Sequence, residues 1–447
     1  MSTTDSPDPE KSSSVKATVT LDTIGCKLNH AESELLARRF LESGFGLVTP
    51  NENPDVFVLN TCTVTHIADR KCRQALRSFH RKNPDALVIA MGCYVDRNAQ
   101  EAGQIEGVDL AIGNAEKDRL VETIHSRLHL NHTPGNGNGH HAPIGELRTR
   151  SEIKIQDGCS QGCSYCIVPY VRGPERSEPI EAILTEIKAR AVEGYKEVVL
   201  TGTRIGTFGS KGGLETLLER ILGETTIPRI RLSSLQPQEL TPSLIELWRS
   251  NDRICHHLHL ALQSGSSSVL ARMQRGYSLD EYMDVVNSVR NAMPDIAITT
   301  DVIVGFPGET DEEFEESFRF CEKIGFARMH IFPYSVRART KAATLPDKVP
   351  DKVKKYRTQR MLDLAKQSAQ MFHRRFQGVA MPVLWETLKG NKLWVGYTSN
   401  YIKVFTKSDQ PLCNSLSNTI LGEEYEQGLW GQIIAQDSLA TSQVKGV

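Results

Sequence analysis

Residues 151–166 read SEIKIQDGCSQGCSYC. An alternating apolar segment runs directly into three cysteines, Cys159, Cys163 and Cys166, at C-x3-C-x2-C spacing. The loop follows a predicted strand, and α/β barrel enzymes gather their ligands at that end of a strand. Three thiolates on one short loop can hold three irons of a 4Fe–4S cube and leave the fourth without a protein ligand, open for chemistry. Gly158 and Gly162 let the backbone turn tightly around such a cluster. A structural zinc site calls for a fourth Cys or His at matching spacing, and the nearest histidines, His140 and His141, lie in a glycine-rich stretch.

Downstream, apolar strand candidates recur near 151–156, 197–201, 229–235, 257–263, 296–304 and 327–333, separated by amphipathic stretches such as Ile180 to Glu193 and Asp311 to Ile324. So many βα units in so short a span predict an open, partial (β/α)6 barrel, because a closed eight-unit barrel needs more chain. A long helix is expected from about Val353 to Phe376, and the segments MPVLWE, KLWVGYT, YIKVFT and LWGQIIAQ after it read as a small β-barrel. Upstream, ATVTLDTI, DVFVLN and ALVIAMG alternate with helices at His30 to Ser43, His66 to Lys82 and about Arg119 to His129. That alternation predicts an open parallel α/β domain. The fold class is α/β, divided into a disordered tail (1–16), an N-terminal α/β domain (17–130), a Gly/His-rich linker (131–145), the barrel with its basic C-terminal helix (146–376) and the small β-barrel (377–441).

Composition narrows the function. The chain has 447 residues, 39% of them hydrophobic and 24% charged, which excludes a disordered protein. No apolar run approaches the ~18 residues of a membrane span, and the first sixteen residues lack a signal-peptide core. A cytoplasmic protein with no membrane partner is expected, and its ten cysteines are then more readily metal ligands or catalytic groups than disulfides. Cys26, Cys62 and Cys93 each fall just beyond a predicted parallel strand, where an open sheet gathers its ligands. They can converge on a second cluster or be three small buried hydrophobes. Cys72, Cys255, Cys321 and Cys413 read as ordinary side chains, and alternation sends His257 and His259 to one face of a strand and His256 to the other, as polar lining. The net charge of −1 speaks against nucleic acid only as an average. Residues 70–82 hold six basic side chains and no acidic one, and residues 341–377 hold ten against three. Trp394, Tyr397, Tyr401 and Phe405 are available in the tail for stacking on bases, although some of them must be core.

These residues resemble the radical S-adenosylmethionine (SAM) methylthiotransferases. The resemblance rests on the C-x3-C-x2-C loop within SEIKIQDGCSQGCSYCIVPYVRG, on TIGCKLN, NTCTVT and MGCY around Cys26, Cys62 and Cys93, and on RIRLSSLQP, HLHLALQSGSSSVLARMQRGY, TTDVIVGFPGET and HIFPYS. The tail VLWETLKGNKLWVGYTSNYIKV is similar to the TRAM domain, a small RNA-binding barrel. TIGCKLNHAE, QDGCSQGCSYCIVPYVRG and HIFPYSVR most resemble the branch acting on N6-threonylcarbamoyladenosine at tRNA position 37, beside the anticodon. Sister branches act on N6-isopentenyladenosine in tRNA or on a ribosomal-protein aspartate, and a non-catalytic iron–sulfur RNA-binding protein is the remaining alternative. The chain departs from the family at Leu28 and His30, where Val and Gln are usual, and in Arg337-Ala338-Arg339-Thr340, where R-x-G-T is usual and Ala338 is read as standing for the glycine.

The resemblance implies two 4Fe–4S clusters, one on Cys159, Cys163 and Cys166 and an auxiliary one on Cys26, Cys62 and Cys93. It implies SAM as methyl donor and radical source, bound at the open iron and cleaved there to a radical that takes hydrogen from C2 of the adenine. It implies tRNA as partner and an electron donor such as flavodoxin or ferredoxin, while a monomer is the default. Tyr165 is expected to meet the adenine of SAM through its backbone. Gly202 contacts the SAM amino group or is a plain turn glycine. Gln263 and Ser264, and Val304 and Gly305, end strands at the ligand face, Gln263 being the expected SAM contact. Arg275 holds a carboxylate or makes an ordinary surface ion pair, and Asp301 bonds ligand or orders its strand.

Overall fold

The computed structural model describes residues 17–128, 149–209 and 212–434, so the expected tail, the linker and the last expected strand residues lie outside the described residues. The chain forms two compact units, Met1–Glu146 and Leu147–Val447.

In the first unit, β1 (Thr18–Thr23), α1 (Lys27–Glu42), β2 (Gly46–Leu47), β3 (Val56–Thr61), α2 (His66–Lys82) and β4 (Leu87–Gly92) are followed by α3 (Cys93–Arg97), α4 (Ala99–Gly103), β5 (Leu110–Ile112) and α5 (Leu120–Arg127). The strands form one parallel sheet in the order β2-β1-β3-β4-β5. Every side chain of β3 is buried, as the continuous run VFVLN requires of a strand covered on both faces. Val56 and Val58 pack on one face with Leu36, Phe40 and Ile124. Phe57 and Leu59 pack on the other with Leu76, Phe79 and Tyr94. The order reverses between β1 and β3, which opens a crevice at their carboxyl ends, the usual ligand position of a doubly wound sheet. Helix α2 has the expected bounds because Thr65 caps it, its hydroxyl accepting from the Ala68 amide at 3.1 Å.

The second unit begins with β6 (Arg150–Lys154), β7 (Gln156–Asp157), α6 (Val168–Arg172), β8 (Arg176–Ser177), α7 (Ile180–Val192), β9 (Glu197–Thr201) and α8 (Gly213–Glu224). It continues through β10 (Arg229–Leu232), β11 (Ser234–Leu235), α9 (Pro242–Arg249), β12 (His257–Leu260), α10 (Ser267–Arg272), α11 (Leu279–Ala292), β13 (Ala297–Val304), α12 (Asp311–Ile324), β14 (Arg328–Pro333) and α13 (Asp351–Arg374). Strands β6, β9 and β10 pair in parallel, as do β11 to β14, and β10 and β11 are one run broken at Ser233. The strand run is thus parallel in chain order, with a core of Ile, Leu and Val from strands and covering helices. A closed barrel of β15 (Ala380–Lys389), β16 (Leu393–Thr398), β17 (Lys403–Lys407), β18 (Leu416–Tyr425) and β19 (Gly428–Ile433) completes it, in the order β15-β16-β17-β19-β18. β18 was not expected; only Thr419 and Leu421 along it are buried, too little to show a period.

The barrel is clamped to the amino-terminal ends of β6, β9 and β10. Glu197 is fully buried, with Arg231 Nε 2.6 Å from its carboxylate. Arg231 Nη1 donates to the Ser399 carbonyl at 2.9 Å, and Arg229 Nη2 to that of Pro382 at 2.6 Å. Arg150 donates to the Tyr401 hydroxyl at 2.8 Å and pairs with Glu386 at 2.7 Å. Burial raises the Glu197 carboxyl, but Arg231, Arg150 and Arg229 outweigh it and hold the group at about 2. This clamp corrects the reading of the barrel aromatics. Trp394 and Phe405 are buried, while Tyr397 and Tyr401 stack on each other at 5.3 Å beneath the Arg150 guanidinium, so the first two rings are core and the two tyrosines build the joint.

Candidate functional site

The first cysteine set lies at the carboxyl end of the β6–β7 segment. Gly158 has φ 73°, and a Cβ there would sit 1.9 Å from the Pro174 carbonyl oxygen, so only glycine passes. The loop is stitched on both sides. The Cys159 amide donates to Gly173 O at 3.1 Å, the Ser164 amide to Met273 O at 3.0 Å, and the Ala342 amide to Ser164 O at 2.7 Å. Asp157, buried at the loop's entry, pairs with Arg172 at its exit at 2.9 Å and with Arg176 at 3.1 Å. Burial pushes the Cys166 thiol up to about 12 and raises Cys159, and each feels the charge of Cys163. Arg275 Nη1 lies 3.4 Å from Cys163 Sγ, the guanidinium is half-buried over Tyr277, and it makes no ion pair among the described residues. The surface ion-pair reading of Arg275 is thereby corrected: its charge is aimed at the thiols.

The other expected positions are distributed around this loop. Tyr165 packs against Val269, Met273, Phe306 and Tyr334, with burial raising its phenol. Gly202 lies against the loop's entry, where a Cβ would sit 2.7 Å from Gln156 O. Gln263 has φ 70° and exchanges backbone hydrogen bonds with Asp301 O and the Ile303 amide at 2.9 and 2.8 Å. Ser264 is buried, and its hydroxyl accepts from the Ser266 amide at 3.3 Å. Asp301 approaches His259 Nε2 at 3.5 Å. Val304 ends β13 buried, and the Gly305 amide donates to Glu309 at 2.6 Å. His257 and His259 both reach the Thr299 hydroxyl at 3.1 Å, whereas His256 faces Asp295 at 2.8 Å.

In the first unit, Cys26 caps α1, Cys62 follows β3 and Cys93 opens α3 directly after β4. Gly92, at φ 100°, turns the chain there, and its missing Cβ would meet Asn60 Oδ1 at 2.8 Å. Burial pushes the Cys62 thiol up to about 12, and the charges of Cys26, Cys93 and Cys72 raise it further, so the three expected thiols share one neighbourhood. Amide side chains that sequence reasoning missed surround them. The Cys26 thiol donates to Asn29 Oδ1 at 3.3 Å, Asn114 Nδ2 to Cys93 Sγ at 3.6 Å, and Asn29 is held by Thr61 O at 2.9 Å. The signal for Asn29 was its place in CKLN, and Asn114, in IGNAE, had none. Cys72 reaches Cys62 O at 3.6 Å from within α2.

Among the described residues no group of three or more His, Cys, Asp or Glu is arranged around a single metal ion. The donor chemistry fits a cluster in both places: three thiols outside any disulfide on short connections, at strand ends, with amide or guanidinium groups aimed at sulfur.

The basic segments divide. In α2, Arg70, Lys71, Arg77, Arg81 and Lys82 are exposed and make no ion pair among the described residues. In 341–377, Arg357 is buried on Glu309 at 2.6 Å, and Arg360, Arg374 and Lys354 pair with Glu315, Glu424 and Asp351, which leaves Lys341, Lys348, Lys352, Lys355, Lys366 and Arg375 exposed and without an ion pair among the described residues. Four of the second segment's ten cations are therefore spent internally, and six are not.

The profile of the Radical SAM superfamily matches residues 153–321, and that of Uncharacterized protein family UPF0004 matches residues 18–113. The chain is 34% identical over 445 residues to threonylcarbamoyladenosine tRNA methylthiotransferase MtaB of Bacillus subtilis, covering 94% of this chain and 98% of that one. It is 37% identical over 404 residues to the enzyme of the same name from Aquifex aeolicus, covering 86% and 96%. A tRNA-2-methylthio-N(6)-dimethylallyladenosine synthase of Acetivibrio thermocellus is 32% identical over 437 residues, covering 93% and 90%. Among solved structures, the radical SAM methyltransferase TsrM of Kitasatospora setae shares the fold, with a TM-score of 0.56 at 13% identity over 73% of this chain and 77% of that one. The superfamily match spans the cysteine loop and the strands behind it, and the kinship runs nearly end to end: the chain belongs to the MtaB family of threonylcarbamoyladenosine tRNA methylthiotransferases.

Proposed function

We propose that the protein adds a methylthio group at C2 of N6-threonylcarbamoyladenosine at position 37 of tRNA, using radical SAM chemistry in a partial (β/α)6 barrel. The observation that carries this reading is near-full-length identity to MtaB enzymes in a chain that presents two sets of three thiols at parallel-strand ends. SAM and two 4Fe–4S clusters supply, when bound, an adenosyl radical and a methylated sulfur. Cys159, Cys163 and Cys166 hold three irons of one cluster, and Cys26, Cys62 and Cys93 those of the other. Arg275 places a positive charge against Cys163 and offsets the negative charge of the thiolate set. Tyr165 and Gly202 meet SAM through their backbones, Gln263, Ser264 and Gly305 line its cleft, and Asp301 bonds the ligand or orders its strand beside His259.

The β15–β19 barrel is read as a TRAM domain, and the exposed basic face of α2 with Lys348, Lys352, Lys355 and Lys366 as the tRNA phosphate surface. A flavodoxin or ferredoxin supplies electrons to a monomeric, cytoplasmic enzyme. Anaerobic incubation with SAM, a strong reductant and tRNA from a deletion strain tests the reading. Formation of 5′-deoxyadenosine together with methylthiolated threonylcarbamoyladenosine, seen by nucleoside mass spectrometry, is expected. Methylthiolation of isopentenyladenosine instead refutes the substrate, and no 5′-deoxyadenosine refutes the enzyme.

A further inference from the structure

A strained arginine stands at the rim of the cluster loop. Arg339 has φ 73°, a backbone conformation that glycine adopts freely and side-chain-bearing residues avoid. Set against the family's R-x-G-T pattern, the glycine's place is Arg339, the third residue, not Ala338, so the earlier reading of that departure is corrected. Nothing among the described residues explains an arginine there. Its side chain is exposed, makes no ion pair or hydrogen bond among the described residues, and has its Cζ over the Tyr170 ring, 5.2 Å from the centroid. Tyr170 is itself 43% exposed, in the short helix α6 just after Cys166.

The turn bearing Arg339 is anchored to the loop. Thr340 is buried and its hydroxyl donates to Arg337 O at 2.7 Å, the Ala342 amide donates to Ser164 O at 2.7 Å, and Lys341 Nζ donates to Gln274 at 2.8 Å. Gln274 adjoins Arg275, whose guanidinium touches Cys163. A stacked guanidinium on a fixed turn keeps its donor edge free, and a planar fork of that kind selects oxyanions. Backbone strain at a side chain whose one internal contact is the Tyr170 ring, with no counter-charge among the described residues, points to use by a ligand.

We infer that Arg339, held by Tyr170, is a specificity residue that binds an oxyanion of the RNA substrate at the mouth of the site. This inference rests on the reading under Proposed function, in which the target base carries a threonine carboxylate and is flanked by phosphodiesters. Either group matches the chemistry, and the experiment separates them.

Full-length, cluster-loaded protein is titrated by fluorescence anisotropy with three anticodon stem-loops: one with N6-threonylcarbamoyladenosine, one with its methyl ester, and one with unmodified adenosine. Arg339→Gly and Tyr170→Leu are compared with the wild-type protein. Glycine suits the local φ, so Arg339→Gly should unfold thermally at the same temperature or higher. Loss of one charge-assisted bond should weaken Arg339→Gly binding about tenfold or more. A loss confined to the free-acid stem-loop identifies the carboxylate, and an equal loss on all three identifies a phosphate. Wild-type affinity of Arg339→Gly for all three overturns the inference. Wild-type protein that forms 5′-deoxyadenosine but does not methylthiolate the free-acid stem-loop overturns the proposed substrate instead, so the two failures are distinct.

Discussion

Glu197→Gln should cost the second unit about 3–4 kcal/mol. The substitution keeps the shape and removes the charge that faces three arginines. Two routes give the size. The Glu197 carboxyl is held at about 2 against an ordinary 4.5, and each pKa unit is worth ~1.4 kcal/mol. Independently, breaking a buried ion pair from one side costs ~3–5 kcal/mol, because the arginines remain buried without their counter-charge. The group is fully buried, so no solvent discount applies. The folded pKa is depressed, so the contribution is complete above the ordinary value and fades as pH falls from about 4.5 through about 2. Urea unfolding followed by tryptophan fluorescence is the assay, since Trp248, Trp385, Trp394 and Trp430 all lie in the second unit and report it alone. Wild-type protein should lose stability across that acid range, and Glu197→Gln should start lower and lack that acid slope. A loss under about 1 kcal/mol, or an unchanged acid slope, refutes the reasoning.

Arg275→Met should lower the midpoint potential of the Cys159/Cys163/Cys166 cluster by ~100 mV in an EPR-monitored titration, since a unit charge ~4–7 Å away at an effective dielectric of ~20 is worth ~2–4 kcal/mol; an unmoved potential contradicts the proximity at 3.4 Å. Gly158→Ala should abolish loading of that cluster, halving iron per chain, because its Cβ meets the Pro174 carbonyl, whereas Gly162→Ala, with nothing within 4 Å, should retain more iron; equal iron in the two sinks the steric account. Affinity for tRNA should fall steeply with salt, and replacing Arg70, Arg77 and Arg81 together by Ala should reduce the log–log slope by ~2–3, so an unchanged slope excludes α2 from the phosphate surface.

The parts legible in the sequence were those with a local cause. Helices α2 and α12 have the expected bounds because Thr65 and Thr310 cap them, and β3 and β9 are continuous apolar runs. Helix α1 begins at Lys27 instead of His30 because Cys26, a residue without a capping oxygen, stands at its N-cap. The cysteine sets were legible through spacing and strand position. What escaped depends on distant partners. Arg275 finds Cys163 across 112 residues, the barrel tyrosines find Arg150 across some 250, and the asparagines around Cys26 and Cys93 matter only once three strand ends meet. Charge counting overstates the free charge for the same reason, since Arg357 is cancelled by Glu309 from the loop before α12.

The clamp at the foot of β6, β9 and β10 also bears on descent. Two arginines of the core are saturated by barrel carbonyls at Pro382, Tyr397, Thr398 and Ser399, and the barrel's Glu386 is answered by Arg150. Exchange of the barrel for another would remove carbonyl or carboxylate partners from three guanidinium groups at once, so no single substitution repairs the joint. A lineage carrying this clamp therefore inherits barrel and core together, and its diversification is channelled to the strand ends and loops on the far side, where residues such as Arg339 can change one at a time.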